Sequence, residues 1–225
     1  MYETVKNSEL FDLNETYPAA ADALRGKTYP WEILSDIHDL ILAIGASLPE
    51  DRYEKRGEDI WIARSAKVFP SAYIAGPCII GEETEVRHCA FIRGNALVGA
   101  HCVIGNSAEL KNVLIFNNCE VPHYNYVGDS VLGFHAHMGA GSITSNIRSD
   151  RKNIVIHASS ADYETGLRKI GAILGDYAEI GCNAVLNPGT VVGPRAMIYP
   201  TSCVRGVVPA DAIFTNKGVV KAKNS

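Results

Sequence analysis

Arg93 and Lys111 stand eighteen residues apart, and each directly follows a large aliphatic, Ile92 or Leu110. If the chain returns to the same place every eighteen residues, their charged ends lie side by side. Two adjacent cations cost free energy unless an anion sits between them, which points to a phosphate or carboxylate ligand. The alternative is that both splay into water. A second series, His88, Asn106, His123 and Ala140, falls two places after the aliphatics Val86, Ile104, Val121 and Met138. Glu109 and Tyr126 pair in the same way ahead of Leu110 and Val127. His123 sits in the crowded polar run Glu120 to Tyr126. A neutral imidazole, with a pKa of roughly 6.5, is the natural general base near neutrality. The competing reading is a histidine packed at a corner and bonded to backbone.

These juxtapositions require an element that repeats at eighteen residues. From Ile62 every sixth residue is aliphatic: Val68, Ile74, Ile80, Val86, Ile92, Val98, Ile104 and Leu110 follow. Two places before each of the later members stands a small residue: Ala66, Ala72, Cys78, Thr84, Ala90, Ala96, Cys102, Ala108. A helix repeats near 3.6 residues and a strand near 2, so a sustained period of six fits neither alone. It fits a coil of three short parallel strands whose corners need small side chains. Stacked coils lie about 4.8 Å apart, the ordinary spacing between strands. The expected fold is therefore all-β: a parallel β-helix with a small N-terminal helical cap and a protruding loop.

The steps from Leu110 to Ile115 and from Val127 to Leu132 are five residues instead of six, which tightens a corner and re-aims a side chain there. The period stops over 147–169, a polar stretch read as a loop thrown out from the prism, with a short strand at Ile154-Val155-Ile156. Loops of that length in compact domains are usually functional or bind a neighbour. The period resumes at Ile180, Leu186, Val192, Ile198 and Val204, and Asp211 to Lys217 is expected to add an edge strand. The division is thus an N-terminal arm and helical cap over 1–58, the β-helix over 59–217, and a frayed tail over 218–225. Within the first part, Leu10, Phe11 and Leu13 read as a short strand or extended arm, and Pro18 to Leu24 as a helix. Pro30 opens another helix, with Ile33, Leu34, Ile37, Leu40, Ile41 and Ile44 on one face. A cap over the open end of the prism would cover otherwise unpaired strand edges.

A formal charge of −4 argues against a nucleic-acid or acidic-membrane surface. No apolar run near the N-terminus resembles a signal peptide and none reaches the length of a membrane span, so a cytoplasmic protein is expected, with Asn14 unglycosylated. Six cysteines are irregularly spaced, without a Cys-x-x-Cys pair. Cys78, Cys102 and Cys119 occupy the small-residue position and read as buried, reduced thiols.

Several runs resemble a known family. These are Arg93-Gly94-Asn95-Ala96, Gly105 to Asn112, Pro122-His123-Tyr124-Asn125-Tyr126-Val127-Gly128-Asp129, and Gly139 to Asn146. Together they resemble the acetyltransferase half of the bifunctional N-acetylglucosamine-1-phosphate uridyltransferase/glucosamine-1-phosphate acetyltransferases, over about Ile80 to Lys217. The resemblance implies a left-handed β-helix, acetyl-CoA as co-substrate, N-acetylation of an amino sugar phosphate or nucleotide-linked amino sugar, and sites shared within a homotrimer. It assigns His123 as general base. It assigns Arg93, Lys111, Tyr126, His137, Asn146 and, more loosely, Lys152 to the sugar phosphate. Ala140, Cys182 and Lys217 fall along the coenzyme A groove, and no metal is implied. His137 replaces the family's asparagine, and Ile147 replaces an aromatic. A Gly-rich nucleotide signature is missing ahead of the helices, where Tyr29-Pro30-Trp31-Glu32 instead resembles a short branch labelled pyrophosphorylase-like.

Two other classes compete. One is a sugar-phosphate-binding or regulatory β-helix without turnover, consistent with His137 and Ile147. The other is a metal-dependent hydratase resembling the γ-type carbonic anhydrases, for which His88, His123, His135 and His137 would be the ligands. That family's His-x-x-x-x-His spacing is absent.

Overall fold

The computed structural model describes residues 4–223. Its body is a left-handed parallel β-helix, a three-sided prism of stacked coils. Face 1 carries Lys67–Val68, Glu85–Val86, Val103–Asn106, Glu120–His123, His137–Met138, Glu179–Ile180, Met197–Ile198 and Ala212–Phe214, paired in register. Face 2 runs from Tyr73–Ile74 through Phe91–Ile92 to Ile143–Thr144, Val185–Leu186 and Cys203–Val204. Face 3 runs from Ile60–Ala63 through Cys78–Ile80 and Ala96–Val98 to Ala172–Leu174, Thr190–Val192 and Val207–Val208. The repeat aliphatics point inward; Val86, Ile92, Val98, Ile104 and Leu110 are buried, while Val68 and Ile74 in the first coil are half-buried.

Most corners between faces 1 and 2, and between faces 3 and 1, contain a residue with positive φ. Cys89, Ser107, Tyr124 and Asn183 do this at the first, and Glu83, His101, Asn118 and His135 at the second. The polypeptide can thereby reverse within two or three residues, a conformation otherwise costly for side chains. The five-residue steps have a direct structural result. Strands Glu109–Ile115 and Tyr126–Leu132 run unbroken around the corner from face 2 to face 3, bending at Asn112 and Asp129. Leu110 still pairs with Val127, and Ile115 with Leu132.

Faces differ in what covers them. On face 3 the outward residues Ile79, Leu97, Leu114, Val131, Ile173 and Val191 are as buried as the inward ones. Their cover begins with the N-terminal segment. Asn7–Leu10 forms one helical turn that takes in Leu10 of the expected arm, Phe11 after it is extended, and Pro18–Arg25 forms the expected helix. The single helix expected from Pro30 is divided into a 3₁₀ turn, Pro30–Ile33, and the α-helix Ile37–Ser47. Ile37–Ser47 packs against Cys78–Ile80, Ala96–Val98 and Glu109–Ile115. The helical cap therefore lies along a flank of the prism instead of across its open end. The reason is the apolar outward column, which would leave a large exposed hydrophobic face without it.

The chain at 147–169 continues the cover over the later coils. Its strands Val155–His157 and Asp162–Glu164 form an antiparallel hairpin that contains part of the expected short strand, and Ile154 and Ile156 are buried. Tyr163 on this hairpin meets the helical segment edge-on at Tyr29 (5.4 Å) and Trp31 (6.2 Å). At the two ends, Tyr53–Gly57 pairs antiparallel with Ile60–Ala63, and Val220–Ala222 pairs antiparallel with Ala212–Phe214. The tail expected to fray from 218 onward is thus ordered into a strand; its last two residues lie outside the described ones.

Candidate active site

Face 2 and its two bordering corners carry the candidate chemistry. At the corner from face 1, His123 pairs with Asn106 in the coil before. Gly141 donates its N–H to the His123 carbonyl at 2.9 Å, and Asn183 donates to the Ala140 carbonyl at 2.9 Å. His88, Asn106, His123, Ala140 and Cys182 therefore form one column, each about 4.8 Å from the next. Thr201 donates to the Cys182 carbonyl at 2.9 Å, extending the run toward exposed Lys217 in the last turn. The expected cofactor residues do share one edge with the expected base.

His123 is exposed, and its imidazole has no hydrogen-bond partner among the described residues. Its backbone is held firmly. The N–H donates to Asn125 Oδ1 at 2.9 Å, while Asn125 Nδ2 donates to Gly139 O at 2.8 Å and Ser142 O at 3.1 Å. In the turn Gly139-Ala140-Gly141, the outer glycines spend their N–H groups on Ile180 and His123. Only the Ala140 N–H of these three is left unpaired beside the His123 column.

Across face 2, Arg93 and Lys111 fall on neighbouring coils as expected: Ile92 pairs with Leu110, and Arg93 N–H donates to Leu110 O at 2.9 Å. Each cation already has a carboxylate, however. Arg93 Nη1 lies 2.7 Å from Glu109 Oε1, and Lys111 Nζ lies 3.7 Å from Asp129 Oδ2. The hydrogen bond from Arg93 to Glu109 pushes the guanidinium further up in pKa. The sequence argument left both cations without counter-ions; Glu109 and Asp129 supply them because adjacent coils bring them within reach.

Tyr126 and Asn146 join this end of face 2. Asn146 Nδ2 donates to the Tyr126 hydroxyl at 3.1 Å and also to Asp129 Oδ2. The phenol lies over Gly128, where an added Cβ would come within 2.5 Å of the hydroxyl. A glycine is thus needed for the ring to lie flat along the face. Burial raises the Tyr126 pKa, and the carboxylates of Asp129 and Glu109 raise it further. Asn112 Nδ2 completes the hold on Asp129 with a 3.0 Å bond to Oδ1.

Two expected residues are not brought to this group. His137 stands at the start of face 1, with Nδ1 2.9 Å from Glu179 Oε2 and Nε2 4.0 Å from Glu120 Oε2. It pairs with Glu120 and Glu179 across coils, so within one chain it is separated from Lys111 by the face 1–face 2 corner. Lys152 lies exposed on the protruding hairpin segment, its N–H on Asp150 Oδ1 at 3.2 Å. The histidines also do not converge as ligands would: His88 bonds Ser71 Oγ at 3.1 Å, and His135 stacks on Tyr177. No helix among the described residues is long and apolar enough to cross a membrane.

The fold is a parallel β-helix built on a six-residue repeat. The chain resembles the acetyltransferase half of the bifunctional sugar-1-phosphate enzymes in particular. A family model described as the GMPPB C-terminal domain matches residues 74–177. A bifunctional sugar-1-phosphate nucleotidylyltransferase/acetyltransferase of Sulfurisphaera tokodaii is 31% identical over 179 residues, covering 78% of this chain and 44% of the relative. The bifunctional protein GlmU of Methanococcus maripaludis is 32% identical over 174 residues, covering 76% and 42%. The chain thus spans less than half the length of these relatives. Among solved structures, the acetyltransferase domain of PglB from Neisseria gonorrhoeae is 17% identical, with a TM-score of 0.38, covering 72% of this chain and 57% of that one.

Proposed function

We propose that this protein transfers an acetyl group from acetyl-CoA to the amine of a phosphorylated or nucleotide-linked amino sugar. The observation that carries this reading is the column itself: an exposed, unpartnered imidazole at His123, with the free Ala140 N–H one coil above it. The acetyltransferase activity in the name of the Sulfurisphaera relative supports it.

In this mechanism the amine nitrogen attacks the thioester carbonyl while His123 takes the proton that the amine loses. The oxyanion of the tetrahedral intermediate accepts the Ala140 N–H, a contribution of about 10²–10³ in rate for one such donor. The C–S bond breaks, and the departing thiolate receives the proton from the imidazole. An amine is nucleophilic enough to need no covalent acyl-enzyme. Arg93, Lys111 and Tyr126 hold the acceptor at the far end of face 2, where Glu109 and Asp129 pre-set the cations and are partly displaced by the incoming anion. Lys217 and Cys182 border the coenzyme.

A homotrimer would form through faces 1 and 2, since face 3 is covered within the chain. A cytoplasmic location accords with six free cysteines. The test is acetyl-CoA consumption with glucosamine 1-phosphate and related amino sugars. His123→Ala is expected to lower turnover by about 10²–10⁴ with fold and coenzyme affinity retained. Undiminished turnover in that variant removes the assigned role, and inactivity of the unaltered protein across the panel leaves a binding protein.

A further inference from the structure

Beyond Lys111, at the corner of faces 2 and 3, the helical segment and the protruding hairpin segment line an open cleft of about 450 Å³. Three cations line it, Arg151, Arg168 and Lys169, and none of their side chains has an ion-pair or hydrogen-bond partner among the described residues. The one carboxylate lining it is Asp129. Its oxygens are already engaged by Asn112, Asn146 and Lys111. All three are exposed, so water screens their repulsion, and what they offer is a concentrated positive face with open donors for an anion. Guanidinium groups match phosphate oxygens in a two-pronged geometry.

We infer that this cavity receives the second phosphoryl group and nucleoside of the acceptor, so that the amino sugar is carried on a nucleoside diphosphate and not on a single phosphate. This rests on the acetyl-transfer reading above. Position supports it: Asp129 belongs both to the Lys111 ion pair at 3.7 Å and to the cavity wall, so the two cationic groups adjoin. A diphosphate leaving the sugar at Lys111 would pass directly among them. Size supports it as well, because the volume is in the range of small-molecule sites and exceeds what one phosphate fills. The rest of the lining mixes apolar Leu34, Ile147 and Leu167, a surface for a base, with polar Ser35 and Asn112. The cavity is also built from elements fixed to each other, through Tyr163 against Tyr29 and Trp31.

Coenzyme A carries a diphosphate too, but its expected run is the opposite edge of face 2, along Ala140 and Cys182. The experiment separates the two sources. Isothermal titration of the full chain with UDP-glucosamine, inorganic pyrophosphate, glucosamine 1-phosphate and coenzyme A is compared with that of Arg151→Ala/Arg168→Ala. UDP-glucosamine is expected to bind at least tenfold tighter than glucosamine 1-phosphate. The double variant should lose that advantage and weaken pyrophosphate tenfold or more, leaving glucosamine 1-phosphate and coenzyme A unchanged. Lys169→Gln serves if the double variant misfolds, with a smaller loss of the same pattern. Equal affinities in variant and parent, or a loss confined to coenzyme A, overturns the inference. Acetyl transfer to glucosamine 1-phosphate without UDP-glucosamine preference sinks the inference alone; tight UDP-glucosamine binding without acetyl transfer sinks the acetylation reading alone.

Discussion

Asn125 accepts the backbone N–H of His123 at 2.9 Å, two residues before it, and in doing so fixes where the imidazole leaves the prism. The same amide group reaches into the next coil to Gly139 and Ser142. One buried side chain therefore sets both the placement of His123 and the turn that presents the Ala140 N–H.

Asn125→Ala should lower stability by about 1–3 kcal/mol, because it strips partners from buried backbone groups. It should also lower kcat for acetyl transfer beyond what the stability loss explains. The check is urea unfolding alongside steady-state kinetics, with Leu97→Ala as a control of comparable destabilisation. Equal kcat in the two variants would reduce Asn125 to a purely structural residue.

Leu97 points outward from face 3 yet is fully buried under the N-terminal helices. Leu97→Ala should cost about 2–5 kcal/mol, the range for removing a buried leucine side chain. An outward position on an uncovered β-helix face would lose far less. A shift in the urea midpoint with unchanged slope would show that helices and prism unfold together.

Asp176 ties the N-terminal arm to the prism by accepting N–H groups from Asp12 at 2.6 Å and Phe134 at 2.8 Å. Burial pushes its carboxyl up to about 6, against the pull of those two N–H donors. A raised folded-state value means the folded chain holds a proton that the unfolded chain has released. Its contribution to stability is full below the unfolded value of roughly 3.9 and is lost as pH rises through about 6. Denaturant midpoints should therefore fall more between pH 5 and 7 in the parent than in Asp176→Asn. A parent and variant with parallel profiles would refute the assignment.

The inward ladder was legible in the sequence because one residue type recurs at one spacing, and steric fit inside a prism permits little else. The column His88, Asn106, His123 and Ala140 followed from counting coils, whereas Cys182 came only from the family resemblance. The cover on face 3 was also written in the chain, though at the longer period: Ile79, Leu97, Leu114 and Val131 each precede an inward aliphatic and are apolar, while Lys67, Glu85, Glu120 and Glu179 hold the equivalent places on face 1. Reading the six-residue period alone hid this difference, so the helices were placed over an end. The carboxylates beside Arg93 and Lys111 were harder to foresee. Ion pairing at those distances depends on side-chain direction at a tightened corner, which spacing does not encode. The cavity was out of reach for a similar reason, since its walls come from three segments that no single repeat relates.

Stacked-coil proteins carry an inherent hazard: the last rung of the ladder is a template for another molecule's first. Here the final strand on each end runs against the direction of its neighbour, over Tyr53–Gly57 at one end and Val220–Ala222 at the other. A second molecule offering a parallel rung finds those positions already taken by a strand of opposite sense. Growth into fibrils by end-to-end addition is thereby discouraged at the covered edges.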